Sequence, residues 1–593
     1  MEKLNLKQIE AINSIEGPVL VIAGAGSGKT TVLIERIKEL INNDVDQIYI
    51  FAFTFTNQAT NEMKLRLTKA LKRQIKVNIS NFHAFTFSYI NMYFYNNPYK
   101  VVQDSEKEKI IKNLLFKNKI STEVYNIVKF ISKIKNRMKP DKMLLSIRLD
   151  YIKIYFLYQE YLEKTRKIDF DEMNYKFLEL IHSDEYFKYL MQELSKYILV
   201  DESQDINWVQ YEILKVLCEN HNNLFMVGDS NQSIYSFRGS DNRIMEVFEK
   251  ELNAKVINLD TNYRSTNKII NASNNVISNN TNKFNLDLKG VKEDGEDIVI
   301  KRCYSKLEEA YFVSEEIKKL VEEGYKYSDF LILYRNNASA SVFDIKLNLN
   351  NIPHFIYGNR FIDYKEIKYL LNYYELILNQ NDNEAFITIV NVPKRKIGDT
   401  TITDMKTNSF YTKESYYETA KKLNNKHVDK FIELIEDLKQ KIFKLNKLEF
   451  FDLLVDLLNI DSFSKDFRDK KRRLNNINIL RVLFENNLNE YNSLTLRNFL
   501  NDLYMSNTKI EDDNVVNLMT IHQAKGLENK IVFLVDIRDD IIPGKKNNID
   551  IEEERRIFYV GVTRAQERLY ITSSSCDISG GNKIPSRFIY ELQ

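Results

Sequence analysis

A glycine-rich segment near the start of the chain has the residue types of a phosphate-binding loop. Residues 23–30 read AGAGSGKT, and they follow a short apolar run at 18–22. Beyond them, residues 32–40 carry apolar side chains at helical spacing. A strand, a glycine-rich turn and a helix in this order form the context that phosphate binding requires. The sequence therefore predicts a nucleotide site here.

The small and polar residues of this loop have distinct expected tasks. Gly24, Gly26 and Gly28 let backbone N–H groups converge on phosphate oxygens, and the N-terminus of the following helix favours the anion. Lys29 would neutralise the β- and γ-phosphates, while the Thr30 hydroxyl would bind Mg²⁺. The loop departs from the pattern G-x-x-x-x-G-K-[ST] in its first position, where alanine replaces glycine.

Two adjacent acids at the end of another apolar run complete the expected chemistry. Asp201 and Glu202 directly follow the run YILV at 197–200. A carboxylate at a strand end can hold Mg²⁺ through water, which is the role we predict for Asp201. Glu202 would then be placed to take a proton from the attacking water. The long separation between Lys29 and Asp201 indicates that a further domain is inserted between them.

The composition of the chain excludes several other classes of protein. Its 593 residues are enough for several folding units of ~150 residues each. Hydrophobic residues make up 44% and charged residues 28%, which excludes wholesale disorder and coiled coil. No apolar stretch approaches the ~18 residues that span a bilayer, and the first residues are no signal peptide. We therefore expect a soluble, cytoplasmic protein without a membrane partner.

Cysteine, histidine and charge content narrow the possibilities further. The cysteines, Cys218, Cys303 and Cys576, are far apart, and the six histidines are scattered. This pattern excludes a disulfide framework, a thiolate zinc site and an iron–sulfur cluster. The 85 basic and 83 acidic residues nearly balance, so any surface that binds nucleic acid must be local. Residues 64–76 form one basic run with no acid among them.

Two series of apolar runs organise the chain into domains. We predict strands at 18–22, 48–54, 197–200 and 224–227, then at 298–302, 330–334, 530–535 and 569–572. Strands that alternate with helices indicate parallel sheets of the α/β class. Each series is interrupted by a stretch with helical periodicity. We expect a first α/β domain at 1–86 and 190–265 with a helical insertion at 87–189, and a second at 266–370 and 514–593 with a mainly helical insertion at 371–513.

A series of motifs carries a family resemblance. They are LNLKQ at 4–8, the loop at 23–30, TFTN at 54–57, NFH at 81–83, DESQD at 201–205, GDSNQSIYSFRG at 228–239, NYRS at 262–265, LMTIHQAKGLE at 518–528 and EEERRIFYVGVTR at 552–564. This series resembles the UvrD/Rep/PcrA group of superfamily-one DNA helicases, and it runs from about residue 4 to about residue 590. One motif could arise by chance, whereas nine in the right order could not.

The resemblance implies two RecA-like motor domains, with Mg²⁺–ATP bound in the cleft between them and 3′→5′ movement along single-stranded DNA. Besides Lys29 and Glu202, it implies three catalytic residues. Gln232 would sense the γ-phosphate, while Arg264 and Arg564 would be arginine fingers from the far side of the cleft. Fingers supplied across a cleft make hydrolysis depend on closure, which converts chemistry into domain motion.

Further contacts with the nucleotide are implied by the same resemblance. Gln8 would read the adenine edge, Tyr263 would stack on the adenine, and Glu528 would contact the ribose. The remaining expected contacts come from the loop and the helix behind it: Ala23, Gly24, Ala25, Gly26, Ser27, Gly28, Lys29, Thr30, Thr31 and Arg36. The expected metal ligands are Thr30 and Asp201.

The resemblance also implies a track for single-stranded DNA. Its expected members are Phe55, His83, Tyr235, Phe237, Arg238, Asn337, His522, Lys525 and Phe588. Aromatic faces accept any base at about 1–3 kcal/mol each, which suits movement that ignores sequence. Phe237 stands where relatives carry tryptophan, which reduces the stacking area. For Phe55 and Phe588 a place in the core is the competing interpretation, because both lie beside apolar residues.

We interpret the sequence as that of an ATP-dependent DNA translocase and helicase acting at single-strand/duplex junctions, in repair, replication restart or recombination. Two alternatives remain open: a translocase that displaces proteins and unwinds poorly without a partner, and a nucleotide-switched clamp on DNA. Aromatic stacking alone does not distinguish RNA from DNA as the track. We further expect a monomer or weak dimer and a loading or activating protein partner.

Overall fold

In the computed structural model, the chain folds into two compact units. The structure describes residues 4–136, 149–281, 284–358, 360–464, 467–488, 491–504, 514–545, 549–576 and 581–593. Unit 1 comprises Met1–Gly295, Asp550–Thr563 and Glu591–Gln593, and unit 2 comprises Glu296–Ile549 and Arg564–Tyr590. Unit 1 thus includes 266–295 and 550–563, which the sequence analysis places in the second α/β domain. The four segment boundaries expected from the sequence remain a prediction.

A parallel sheet forms the centre of unit 1. The strands described in this unit are β1 (Val19–Ala23), β2 (Ile50–Thr54), β3 (Asn78–Asn81), β4 (Lys100–Val101), β5 (Lys167–Ile168), β6 (Tyr197–Val200), β7 (Leu224–Gly228), β8 (Lys255–Leu259), β9 (Thr261–Asn262) and β10 (Lys289–Gly290). The main sheet has the order β3-β2-β6-β7-β1-β8, and all its pairs are parallel. Because the strands are parallel, their carboxyl ends meet at one edge, which is where such sheets bind ligands.

Helices cover both faces of this sheet. Those described in unit 1 before residue 296 are α1 (Leu6–Asn13), α2 (Lys29–Asn42), α3 (Asn57–Leu71), α4 (Phe82–Tyr93), α5 (Asp104–Lys117), α6 (Val124–Lys135), α7 (Leu149–Thr165), α8 (Phe170–Ser183), α9 (Glu185–Leu194), α10 (Trp208–Cys218), α11 (Arg243–Glu251) and α12 (Asn267–Ile277). Alternation along β1 shows how the two faces are filled. Val19 and Val21 lie in one hydrophobic cluster with residues of α1 and α2, whereas Leu20 and Ile22 lie in another with residues of β2 and α8.

The first insertion has a small hydrophobic core of its own. Apolar side chains of α5, α6 and α7 form a separate buried cluster, which includes Ile111, Ile131 and Tyr158. This agrees with the helical periodicity read from this part of the chain. Within the described part of the insertion, the strand content is the two-residue pair β4 and β5.

A second parallel sheet forms the centre of unit 2. Its strands are β11 (Val299–Cys303), β12 (Phe330–Tyr334), β13 (His354–Ile356), β14 (Val516–Thr520), β15 (Asn529–Leu534) and β16 (Ala565–Ser574), in the spatial order β11-β16-β15-β12-β14-β13. All of these pairs are parallel. Together the two sheets confirm the predicted α/β class. Among the described residues, no helix is both long and apolar enough to cross a membrane.

The second insertion shares its core with this sheet. The helices described in unit 2 are α13 (Lys306–Glu322), α14 (Ala340–Leu349), α15 (Lys365–Leu378), α16 (Asn383–Ile389), α17 (Asp399–Thr412), α18 (Tyr416–Lys421), α19 (Lys426–Lys441), α20 (Lys447–Leu458), α21 (Phe467–Asn487) and α22 (Ser493–Tyr504). One buried cluster runs from Phe330 and Ile332 of β12 to Phe451 and Leu454 of α20. The insertion and the sheet are thus stabilised together.

The chain then returns to unit 1 through α23 (Ile551–Val562). Arg555 of α23 donates a 2.6 Å hydrogen bond to the side chain of Asn280, and Asn280 donates one of 2.9 Å to the carbonyl of Glu552. The boundary between the units falls between Thr563 and Arg564.

Candidate functional site

The glycine-rich loop lies at the carboxyl edge of the unit 1 sheet. Ala23 ends β1, and Lys29 begins α2, as the sequence predicts. Gly26 and Gly28 have φ angles of +68° and +84°, a left-handed conformation that favours glycine. The hydroxyl of Ser27 donates a 2.8 Å hydrogen bond to the carbonyl of Gly24, which closes the turn.

Neighbouring side chains approach the loop so closely that a larger residue would not fit in place of its glycines. A Cβ on Gly24 would lie 2.2 Å from Cδ2 of Leu288, and one on Gly26 would lie 2.7 Å from Cβ of Arg264. Ala25 and Ser27 are buried, Lys29 and Thr30 are half-buried, and Thr31 is exposed on the first turn of α2. The loop is therefore a cradle of backbone groups at a helix N-terminus, a geometry that suits a polyphosphate.

The two residues expected to contact adenine are joined through Asn5. Asn5 caps α1 in a reciprocal arrangement, since its side chain accepts from the N–H of Gln8 while Oε1 of Gln8 accepts from the N–H of Asn5 at 2.9 Å. Nε2 of Gln8 donates to the carbonyl of Ser27 at 3.0 Å. Nδ2 of Asn5 donates to the hydroxyl of Tyr263 at 2.9 Å. The structure thus brings Gln8 and Tyr263 together beside the loop.

Asn262 holds the segment 262–265 against the loop, a role that was not predicted from the sequence. Its Nδ2 donates to the carbonyl of Ala25 at 2.7 Å, and its Oδ1 accepts from the N–H groups of Arg264 and Ser265 at 2.8 and 2.9 Å. Arg264 lies in unit 1 together with the loop, and not on the far side of a cleft from it as the resemblance implied. Its Nη1 donates to the carbonyl of Thr563 at 3.2 Å. The sequence did contain a signal for this role, because Asn262 is the first residue of the motif that also contains Tyr263 and Arg264.

The predicted acid pair lies at the same edge of the sheet. Asp201 and Glu202 follow β6, which is separated from β1 by β7 alone. The N–H of Asp201 donates to the carbonyl of Phe53 at 2.9 Å, and that of Glu202 donates to Oδ1 of Asp201 at 2.9 Å. Glu202 has a φ of +51°, a conformation that costs a non-glycine residue about 1 kcal/mol or more and is held by its surroundings. Gln232 follows β7, and its Nε2 donates to Oδ2 of Asp229 at 2.6 Å.

Arg36 is placed differently from the other predicted nucleotide residues. Its side chain is buried, and its guanidinium donates to the carbonyls of Ala11, Ile12 and Ile15 at 3.0 to 3.2 Å. The guanidinium carbon also lies 4.0 Å from the ring centroid of Phe225. Arg36 is therefore better described as a positioning residue for α1, the helix that carries Gln8, than as a nucleotide contact.

Several predicted residues belong to unit 2. The side chain of Arg564 is 1% exposed, and its Nη1 donates to the carbonyl of Leu527 at 3.1 Å. Glu528 is exposed and accepts from Nε2 of Gln566 at 3.0 Å. His522 and Lys525, both half-buried, lie in the turn after β14, and Asn337, which is exposed, follows β12. Because β12 and β14 are parallel neighbours, these three residues share one edge of the second sheet.

An aromatic series in unit 1 fits the predicted single-strand track. The rings of Phe55 and Tyr235 stack with centroids 4.9 Å apart, and Phe237 lies 5.9 Å from Tyr235. Phe237 is 65% exposed, so part of its side chain is accessible to a base. His83 is half-buried and lies 6.1 Å from the ring of Phe170. The side chain of Arg238 lies outside the described part of the structure.

Phe588 occupies a different environment from these rings. Its side chain is 0% exposed in unit 2. A ring with no exposed surface cannot stack on a base without moving, so this arrangement favours the competing interpretation, a place in the core.

Two family models match the chain. The UvrD/REP helicase N-terminal domain matches residues 4–253, and the UvrD-like helicase C-terminal domain matches residues 257–576. The chain belongs to the UvrD-like helicase family, which confirms the resemblance read from its motifs.

Curated relatives agree with this assignment. A Staphylococcus aureus protein named "ATP-dependent DNA helicase PcrA" is 33% identical over 637 residues, covering 100% of this chain and 86% of its own length. A Staphylococcus epidermidis protein of the same name is 33% identical over 636 residues with the same coverage.

Proposed function

We propose that the protein is an ATP-dependent DNA helicase that moves 3′→5′ along single-stranded DNA and separates strands at junctions with duplex. The observation that supports this most strongly is the grouping of Lys29, Asp201, Glu202 and Gln232 at one edge of a parallel sheet. A loop lysine, two strand-end acids and a polar residue near the γ-phosphate are the parts that ATP hydrolysis needs. Family membership and the names of its relatives favour DNA as the substrate of the motor.

The donor groups at this edge fit ATP and Mg²⁺. The loop offers backbone N–H groups and the Lys29 ammonium to phosphate oxygens, while Thr30 and Asp201 offer the hard oxygen ligands that Mg²⁺ prefers. Bound there, Mg²⁺ would neutralise charge on the β- and γ-phosphates. Glu202 would orient the attacking water and accept its proton.

Two further groups of residues take part in the proposed mechanism: one stabilises the transition state of hydrolysis, and the other binds DNA. Gln232, Arg264 and Arg564 would stabilise charge on the transferred phosphoryl group. Phe55, Tyr235 and Phe237 would hold bases in unit 1, and Asn337, His522 and Lys525 would contact the strand in unit 2. We place this activity in repair, replication restart or recombination.

Steady-state ATPase with and without a single-stranded oligonucleotide tests the proposal. We expect strong stimulation by DNA, and a loss of about 100-fold or more in Lys29→Ala. Lys38→Ala is the matched control, because Lys38 lies on the same helix and pairs with Glu35 at its surface. Unwinding of 3′-tailed but not 5′-tailed duplex would establish polarity. ATP turnover that ignores DNA, or that survives Lys29→Ala, would contradict the proposal.

A further inference from the structure

Gln204 bridges the predicted base and the loop after β7. It is fully buried, and its Nε2 donates to Oε2 of Glu202 while its Oε1 accepts from the N–H of Asp229 at 2.9 Å. Since a carboxylate accepts and an N–H donates, these two partners allow one orientation of the amide group. The carbonyl of Gln204 also accepts from the hydroxyl of Ser233 at 3.2 Å.

The bridge continues from Asp229 to Gln232. Oδ2 of Asp229 accepts from Nε2 of Gln232 at 2.6 Å, and its Oδ1 accepts from the N–H of Asn231 at 3.0 Å. A chain of hydrogen bonds therefore runs from the half-buried Glu202 through the buried Gln204 and Asp229 to the buried Gln232. Such a largely buried network holds its members in one mutual arrangement, because each group left unpaired would be costly.

Gly228 makes this close approach possible. A Cβ at this position would lie 2.3 Å from Oγ of Ser203 and 2.6 Å from Oε1 of Gln204. The absence of a side chain at the end of β7 thus allows the Gln204 amide to reach the backbone of Asp229. On the other side, the backbone of Glu202 is held in a left-handed conformation. Both features indicate that the backbone conformations of the loops after β6 and β7 are adapted to this contact.

The far end of the network lies beside the aromatic series. Ser233, which Gln204 holds through its carbonyl, is followed two residues later by Tyr235, the ring stacked on Phe55. The carbonyl of Ser233 in turn accepts from Nε of Arg556 at 2.9 Å. A movement of the segment 229–235 would therefore displace Gln204, which is hydrogen-bonded to Asp229 and Ser233.

We propose that Gln204 is a positioning residue that orients the Glu202 carboxylate according to the position of the segment 229–235, and so couples occupancy of the DNA track to hydrolysis. This inference rests on the proposed function, because it takes Glu202 as the general base for ATP hydrolysis and Tyr235 as part of the DNA track. Gln204 holds the base in place and does not itself contact the reacting atoms.

Two substitutions in the full chain test this role. In Gln204→Ala, we expect the DNA-stimulated kcat to fall about 10- to 100-fold with the KM for ATP changed less than about 2-fold, because the base is misplaced and not the nucleotide. Gln204→Glu is isosteric, but its ionised carboxylate cannot donate to Glu202. We therefore expect it also to lower the DNA-stimulated kcat and the ratio of stimulated to basal ATPase, with the KM for ATP changed less than about 2-fold. A purely structural role would lower the melting temperature without separating kcat from KM.

The control is Gln192→Ala, which removes another buried glutamine of unit 1 that bonds to the carbonyl of Val216. We expect it to lower the melting temperature and to leave both the stimulation ratio and the ratio of kcat to KM unchanged. If Gln204→Ala does not fold, the isosteric Gln204→Glu decides alone. A wild-type DNA-stimulated kcat in Gln204→Glu, with Lys29→Ala inactive, overturns this inference and leaves the proposed function standing. Activity in Lys29→Ala overturns both.

Discussion

The side-chain amide of Asn262 donates a 2.7 Å hydrogen bond to the carbonyl of Ala25, inside the glycine-rich loop. The oxygen of the same amide accepts from the N–H groups of Arg264 and Ser265. One buried side chain therefore holds two parts of the proposed nucleotide site: the loop expected to bind the phosphates, and the backbone of a predicted arginine finger.

Asn262→Ala should weaken nucleotide binding. The substitution leaves the Ala25 carbonyl and two N–H groups without their partner, at a cost of about 1–3 kcal/mol for each buried group left unsatisfied. We expect the KM for ATP to rise about 10-fold, measured at saturating DNA. Asn91→Ala is the control, because Asn91 also bonds to main-chain groups of unit 1, here those of Tyr99. An unchanged KM in Asn262→Ala would show that the hydrogen bonds of Asn262 do not determine the conformation of the loop.

Much of the fold was predictable from apolar runs. All eight predicted strands are present, each within four residues of its expected ends. Seven of them are interior strands of a parallel sheet, which are buried on both faces and form continuous apolar segments in the sequence; the eighth, β11, is an edge strand. The strands not predicted are β3, β8, β13 and β14 of the two main sheets and the two-residue strands β4, β5, β9 and β10. Within the main sheets, β3, β8 and β13 are edge strands with polar or alternating residues, and β14 overlaps one of the family motifs.

The positions of candidate site residues were predictable where they directly follow a strand or a glycine-rich loop, as Asp201 and Lys29 do, while their roles stay predictions. A role was not predictable where a residue acts by binding backbone distant in sequence. Asn262 and Gln204 do so, and Arg36, six residues beyond Thr30 on the same helix, serves α1 for the same reason. Such roles depend on tertiary placement, which spacing does not reveal.

Replacing Arg36 should affect stability before activity. Arg36→Met keeps much of the apolar stem but removes the donors to the carbonyls of Ala11, Ile12 and Ile15, which we expect to cost about 2–4 kcal/mol. A lower melting temperature together with a moderately raised KM for ATP is the expected outcome, since α1 carries Gln8. Lys38→Met, on the same helix, should change neither quantity. A stable Arg36→Met protein that no longer binds ATP would instead restore Arg36 to the nucleotide site.

Two phenylalanines of the predicted track should respond in opposite ways. Phe237 is 65% exposed, so Phe237→Ala should weaken binding of a fluorescent single-stranded oligonucleotide by about 1–3 kcal/mol, the value of one base stack, with no change in melting temperature. Phe588 is 0% exposed, so Phe588→Ala should lose about 3–5 kcal/mol of stability, as for other buried rings. Phe588→Leu separates the two roles, because it keeps apolar volume without an aromatic face. Weakened DNA binding in a stable Phe588→Leu protein would return Phe588 to the track.

A buried carboxylate in unit 2 should make stability depend on pH. Glu309 of α13 is 0% exposed, and its Oε1 accepts from the N–H of Asp536 at 2.7 Å and from the hydroxyl of Thr572. Burial, followed by the negative charge of Asp536, raises the pKa of Glu309 from its ordinary 4.5 to about 7. Between these two values the folded protein keeps a proton that the unfolded chain has released. Stability must therefore fall as the pH rises through this window.

Glu309→Gln should abolish this dependence. At 1.36 kcal/mol per pKa unit, ionised Glu309 costs the folded state about 3 kcal/mol above pH 7. Thermal unfolding at pH 5 and pH 8 should show wild type losing most of that amount across the interval, while Glu309→Gln, a neutral isostere, is less dependent on pH and more stable than wild type at pH 8. Glu308→Gln is the matched control, because Glu308 is the neighbouring acid and is exposed. Parallel pH dependence in wild type and Glu309→Gln would mean that the carboxylate is ionised in both the folded and unfolded states throughout the interval.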